Sequence, residues 1–132
     1  MIMTLNSCKQ KAKVSENPLS SVIKLFSAEE DKNFDEAIKF IDVDRVYSDC
    51  KQDKKTPMEC WKEGINLSYN MGQTSKFTNR FKYHDYKISE SINGEKAKVE
   101  FAPIKKESGM KTMVLELEFI NGNWMVVKVN HF

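Results

Sequence analysis

The sequence has little of what catalytic and metal sites are usually built from. It holds 2 histidines, His84 and His131, which stand far apart, and its 3 cysteines lie near neither of them. The 5 glycines form no phosphate-binding loop, and neither a GxSxG nucleophile motif nor a CxxC pair occurs. We therefore predict no cofactor and no metal site.

A large excess of one charge is also absent. Lys and Arg total 21 and Asp and Glu total 19, so the formal net charge is +2. The lysines are interleaved with acids, whereas a nucleic-acid surface needs a concentrated basic stripe. We therefore predict no nucleic-acid partner. The length of 132 residues suits a single domain with a core of its own.

No apolar run reaches the ~18 to 20 residues that a membrane-spanning helix needs. Near the start, however, Leu5-Asn6-Ser7-Cys8 resembles a bacterial lipobox, whose cysteine receives a lipid. We predict a truncated signal remnant and flexible tether over residues 1–16, a folded domain over 17–132, and a lipid anchor on Cys8 at the bacterial cell envelope. The alternative is a disordered leader with a chance cysteine on a cytoplasmic protein.

Lipidation of Cys8 would leave an even pair, Cys50 and Cys60. In an oxidising compartment these two cysteines could join a polar loop to the helix that follows it. Closing a loop of about ten residues would stabilise the fold by roughly 2 to 3 kcal/mol. The alternative is a pair of free, half-buried thiols.

Three amphipathic helices are predicted in the first half of the chain. Asn17-Pro18 is typical of a helix start, and Thr56-Pro57-Met58-Glu59 is a capping box. The helix after the capping box should end near Met71, before Gly72. The middle helix is predicted from an i, i+3, i+4, i+7 stripe with one further turn, made of Phe34, Ala37, Ile38 and Ile41, then Val43, Val46 and Tyr47.

From residue 76 onward the apolar pattern has a period of two. It predicts strands over about 80–92, 96–104, 111–120 and 124–129. The turns between them carry Asn93-Gly94, Glu107-Ser108-Gly109 and Asn121-Gly122-Asn123. Helices followed by consecutive hairpins predict an α+β fold, in which the helices cover one face of an antiparallel sheet of about four strands.

This order of elements, the Asn93-Gly94 hairpin and the closing strand from Asn121-Gly122-Asn123-Trp124 resemble the nuclear transport factor 2-like superfamily, which is cystatin-like in fold. More narrowly, the chain is similar to small bacterial lipoproteins of unassigned function in that superfamily, over about residues 17–131. The resemblance implies a cone-shaped domain, with a strongly curved sheet wrapped around the helices and a pocket at the open end. It implies no single activity, because the superfamily includes isomerases, dehydratases, ligand carriers and interaction modules.

Large apolar side chains are the candidates for such a pocket, which would hold a small apolar ligand. Simple filling of the core is the alternative reading of the same residues. The candidate pocket residues are Tyr47, Trp61, Tyr86, Phe101, Met113 and Phe119.

Enzymes of this superfamily typically place an acid or a His/Asp pair inside the cone, near a tyrosine. His84 is the candidate catalytic residue here, but it alternates with Asp85 along the predicted strand, so the two side chains would point to opposite faces. The structural alternative is a strand histidine with no catalytic partner.

The period-two pattern predicts that Val114, Trp124 and Val126 share one face of the sheet, which would form a homodimer interface if it were exposed. The first functional hypothesis is a non-enzymatic, envelope-associated binding module that holds a small apolar ligand or a protein partner in or beside the cone. An isomerase- or dehydratase-like enzyme is the second. The third is an immunity-like interaction protein with a filled core.

Overall fold

The computed structural model describes residues 17–50, 55–74, 83–105 and 111–132. The helices precede a curved antiparallel sheet that does not close into a barrel, so the predicted α+β fold is confirmed. The helices are α1, Pro18–Glu30; α2, Phe34–Ala37; α3, Val43–Val46; and α4, Pro57–Thr74. A 3-10 turn, Tyr83–Asp85, leads into strands β1, Tyr86–Asn93; β2, Lys96–Pro103; β3, Met113–Ile120; and β4, Asn123–His131.

Both long helices begin where their capping residues predict. The Asn17 side chain accepts a hydrogen bond from the Ser20 N–H at 2.7 Å, and Pro18 opens α1. In the capping box of α4, the Glu59 N–H donates to Thr56 Oγ1 at 3.1 Å and the Thr56 N–H donates to the Glu59 carboxylate at 2.8 Å. The helix then continues through Gly72 to Thr74, three residues beyond the predicted end.

The predicted middle helix is wrong, because its residues form two one-turn helices with an extended segment between them. Val126 of β4 donates its N–H to Phe40 O and accepts the Asp42 N–H at its own carbonyl, both at 2.8 Å. Ile41 therefore forms a parallel bridge with Val126 and covers the edge of β4. Ala37, Ile41 and Val43 are buried in this arrangement, as they would also be in one continuous helix. The apolar spacing is therefore compatible with both the continuous and the interrupted helix.

The strands pair in chain order, β1-β2-β3-β4, and each neighbouring pair is antiparallel. Asn121 and Gly122 have φ values of 51° and 85°, which identifies a type I′ turn between β3 and β4. The first hairpin is different, because Asn93 still pairs with Lys96 and the loop is Gly94-Glu95. Gly94 alone has a positive φ there, 66°, which is the pattern of a type II′ turn.

One face of the sheet forms the core with α1, α4 and the segment around Ile41. Successive side chains of β2 and β3 alternate between this core face and an outward polar face. The core side chains of these two strands are all at most 6% exposed. They are Ala97, Val99, Phe101, Leu115 and Leu117.

A bulge in β4 overturns the predicted dimer face. Lys128 pairs with Glu116 whereas Val126 pairs with Leu117, so Val127 is an extra residue that shifts the alternation of β4. Trp124 and Val126 are consequently core residues, 8% and 0% exposed. Val114 lies on the opposite face, because it precedes the buried Leu115. The three residues therefore share no surface.

Gly122 and Gly64 provide a matched test of this backbone. A Cβ would meet no atom within 4 Å at either glycine, so Ala at either position creates no clash. We expect Gly122→Ala to lower the free energy of unfolding by about 1 kcal/mol, because φ is positive there. Gly64→Ala should raise it by about 0.5 to 1 kcal/mol, because Gly64 lies inside α4. Urea unfolding of both variants checks this, and equal effects would contradict the assigned turn.

Candidate functional site

Three of the six candidate pocket residues, Tyr86, Phe101 and Met113, lie next to one another and pack into the core. Phe101 is completely buried, with ring centroids of Phe26, Tyr83 and Tyr86 at 5.9, 6.3 and 6.3 Å. Met113 pairs with Phe101 across β2 and β3 and is partly buried. These residues therefore fill the core between α1 and the sheet.

Trp61 lies in another part of the core, whereas Phe119 lies at the surface beside it. Trp61 of α4 is completely buried, and its ring meets Phe34 edge-on at 5.0 Å. Phe119 is 40% exposed and packs edge-on against Trp124 at 5.3 Å, near the turn between β3 and β4. Phe119 is the exposed member of the six candidate pocket residues, all of which lie in the described part of the chain.

A buried acid, Glu29, was missed by the sequence analysis. Glu29 is only 8% exposed at the end of α1, and its carboxylate accepts a hydrogen bond from Trp61 Nε1 at 2.7 Å. Burial raises the pKa of the Glu29 carboxyl to about 7, and the bond from Trp61 opposes that rise. Its position four residues after the buried Leu25, on the apolar stripe of α1, was the signal available in the sequence.

Tyr47 completes this polar cluster. Burial raises the pKa of the Tyr47 hydroxyl to about 12, and the negative charge of Glu29 adds to the rise. The cluster therefore combines an acid that exchanges a proton near neutral pH with a tyrosine that stays protonated. Glu29 is buried at the end of α1, and Tyr47 is partly buried against the core.

His84 lies away from this cluster, at the surface of the 3-10 turn. Its side chain is 82% exposed, and its Nε2 lies 3.4 Å from a carboxylate oxygen of Asp85. The expected strand geometry does not apply, because residues 83–85 are not part of β1. His84 thus has an acidic neighbour and is largely exposed to solvent.

An open groove of about 370 Å³ crosses the outward face of the sheet at the β1–β2 hairpin end. In the strand register, Lys98 of β2 pairs with Ser91 of β1 and with Glu116 of β3. Lys96 pairs in the same way with Asn93 and Glu118. Val127 of the β4 bulge supplies an apolar wall. The complete lining is Ser91, Ile92, Asn93, Lys96, Ala97, Lys98, Glu116, Leu117, Glu118 and Val127.

Arg45 binds Glu118, one of the two glutamates that line the groove. Its two terminal guanidinium nitrogens donate to the two carboxylate oxygens of Glu118, each at 3.0 Å. This bidentate contact holds the pKa of the Glu118 carboxyl below its usual value. The geometry keeps Glu118 ionised and directs it towards α3.

A disulfide joins Cys50 to Cys60, whose Cα atoms are 6.4 Å apart. It connects the turn after α3 to the first turn of α4, next to Trp61 in the chain. Cys8 lies outside the described residues.

Within residues 17–50, 55–74, 83–105 and 111–132, no group of three or more His, Cys, Asp and Glu side chains could hold a metal ion. None of the helices in these same segments is long and apolar enough to cross a bilayer.

No protein-family model matches the chain, and the search of curated proteins finds no significant match. The resemblance to the nuclear transport factor 2-like superfamily therefore stays a prediction.

Glu29 predicts a specific pH dependence of stability. The folded-state pKa of about 7 lies above the unfolded value of about 4.5, so the protonated carboxyl favours folding. This stability is complete below pH ~4.5 and is lost as the pH rises through ~7. Glu29→Gln keeps an acceptor for Trp61 without the charge, and should be more stable than the natural protein by on the order of 3 kcal/mol at pH 8, but equal at pH 4.

Urea unfolding from pH 4 to 8 measures that difference directly. Glu100→Gln is the matched control, because Glu100 is an exposed acid on the outward face of β2. Its difference from the natural protein should stay nearly constant across the range. A constant difference for Glu29→Gln as well would show that Glu29 is not a buried ionisable group.

Proposed function

We propose that this chain is a non-enzymatic binding module of the bacterial cell envelope, and that it holds a protein partner beside the cone, on the outward face of the sheet. The observation that carries the proposal is the groove over β1 to β4, about 370 Å³ in volume and open to solvent. Its lining combines lysines, glutamates, small polar side chains and an apolar wall, as in the polar rim of a protein interface.

The packed core argues against a ligand inside the cone. Trp61 and Phe101 are completely buried, and aromatic neighbours contact each ring. A ligand at this position would have to displace such a ring, and losing a core Phe or Trp side chain costs about 3 to 5 kcal/mol. A partner on the outward face requires no rearrangement of the core.

Glu29 favours a second candidate function, an isomerase- or dehydratase-like enzyme. A carboxyl group with a pKa near 7 suits general acid–base chemistry, and Glu29 lies close enough to Tyr47 for its charge to raise the pKa of that hydroxyl. This candidate ranks second because Glu29 is buried and its carboxylate already accepts a hydrogen bond from Trp61.

The disulfide supports the envelope location. Disulfides persist in oxidising compartments and are rare in the cytosol of most bacteria. Cys50 and Cys60 are joined, which leaves Cys8 as the one cysteine of the sequence without a partner in the chain. A lipid on Cys8 would anchor the domain through the polar residues 9–16.

Mass spectrometry of the protein extracted from its source membranes tests this location. We expect the peptide that contains Cys8 to carry a lipid, and the peptides that contain Cys50 and Cys60 to remain linked without reductant. Cys8→Ser is the matched variant, which should release the protein from the membrane fraction. An unmodified Cys8 thiol on a protein recovered from the cytosol would overturn the envelope location.

Site-specific photo-crosslinking in the source cells tests the binding surface. A photoreactive amino acid at Ser91 would lie in the groove, whereas one at Ser27 would lie on the exposed side of α1. We expect a discrete protein adduct from position 91 only, and the same adduct when the two purified proteins are mixed. Equal adducts from both positions, or none from position 91, would contradict the proposed surface.

A further inference from the structure

The groove contains two lysines that the fold places close together. Lys96 and Lys98 are alternate residues of β2, so both side chains point outward and their Cα atoms lie about 7 Å apart. Both line the groove. Two like charges at this spacing repel each other, and an anion between them would remove that repulsion.

The acids opposite these lysines are held by other groups. Glu118, opposite Lys96, is bound by both terminal nitrogens of Arg45 at 3.0 Å. Glu116, opposite Lys98, accepts a hydrogen bond from the Asn130 amide at 3.4 Å. Neither lysine lies within ion-pair distance of a carboxylate of the described residues, and Lys96 acts on Glu118 only as the weakest of the causes that lower its pKa. The cross-strand pattern alone would have paired and neutralised all of these charges.

We infer that Lys96 and Lys98 hold a carboxylate from an acidic segment of the protein partner. This inference rests on the proposed function and specifies the chemistry of the partner. The lysine amines act as exposed point charges with several donors each, so they attract carboxylates without demanding one fixed geometry. Charge complementarity of this kind mainly sets partner choice and association rate.

A polypeptide fits this groove better than a phosphate or an anionic lipid surface. Glu116 and Glu118 lie in the same groove, one strand away from the lysines. A uniformly negative surface would bring anions against these glutamates as well. A polypeptide can place a carboxylate at the lysines and a neutral or basic residue at the glutamates.

Binding of a labelled octaglutamate peptide, followed by fluorescence anisotropy, tests the inference. An octaglutamine peptide serves as the uncharged probe. We expect measurable octaglutamate binding that weakens as NaCl is raised, and no binding of octaglutamine. Lys96→Gln with Lys98→Gln should weaken octaglutamate binding about fivefold to tenfold, because each exposed charge contributes modestly.

A matched control separates the groove from net charge. Lys105 and Lys111 are exposed lysines outside the groove lining, so replacing both with Gln removes the same charge. That double variant should bind octaglutamate within about twofold of the natural protein. Equal losses from the two double variants would overturn the inference in favour of a nonspecific charge effect.

Arg45 gives a test of whether the Glu118 carboxylate competes for Lys96. Arg45→Gln would free Glu118 to pair with Lys96, and should weaken octaglutamate binding by about twofold to threefold. Glu118→Gln should strengthen it, because the groove loses an acid. Arg45→Gln with Glu118→Gln should bind at least as well as the natural protein, although it carries no added positive charge.

Vesicle binding and the crosslinking from Ser91 separate failure of this inference from failure of the proposed function. If vesicles of phosphatidylglycerol bind through Lys96 and Lys98 while octaglutamate does not, the groove faces an anionic lipid surface and the inference is wrong. If neither probe binds, but crosslinking from Ser91 still gives one adduct, the proposed function stands and its acidic specificity fails. If that adduct is absent as well, both fail.

Discussion

The rest of the structure depends on the strict alternation of side chains along β2 and β3. Ala97 and Leu115 point to the core, whereas Lys98 and Glu116, one position along, point outward, so the same two strands build the core and the groove. A one-residue slip would bury charges and expose the core. The bulge at Val127 changes this alternation in β4 only, which keeps Trp124 in the core beyond it.

The core includes one polar contact that works against stability. Glu29 lies where α1 and α4 meet, and Trp61 supplies a hydrogen bond that satisfies part of the buried carboxylate. A single hydrogen bond does not replace the hydration of a charged carboxylate, which is why the pKa rises. An apolar residue or a glutamine would serve the packing at neutral pH at least as well. The acid is therefore a core residue whose presence packing alone does not explain.

Local signals in the sequence predicted the local structure. The caps at Asn17 and Thr56 and the turn at Asn121-Gly122 lie at the expected positions, because each depends on residues within four positions in the chain. Features that depend on distant partners were not predicted. The break at Ile41 requires the edge of β4, the burial of Glu29 requires Trp61, and the contact between Arg45 and Glu118 spans 73 positions. The outward groove could be read from the alternating charges only once the register was known.

These distant contacts connect the interrupted helix to the surface charges of the sheet. The Asp42 N–H donates to Val126 O at 2.8 Å, and its side chain accepts the Arg45 N–H at 3.3 Å, so α3 begins at a fixed position beside β4. From that position Arg45 reaches over β4 to Glu118 of β3. One continuous helix from Phe34 would leave Val126 without these backbone bonds and Glu118 without its guanidinium. Glu118 would then lie free beside Lys96, and the two charges in the groove would neutralise each other. The break in the helix is thus the structural reason that a cation remains available on the outward face.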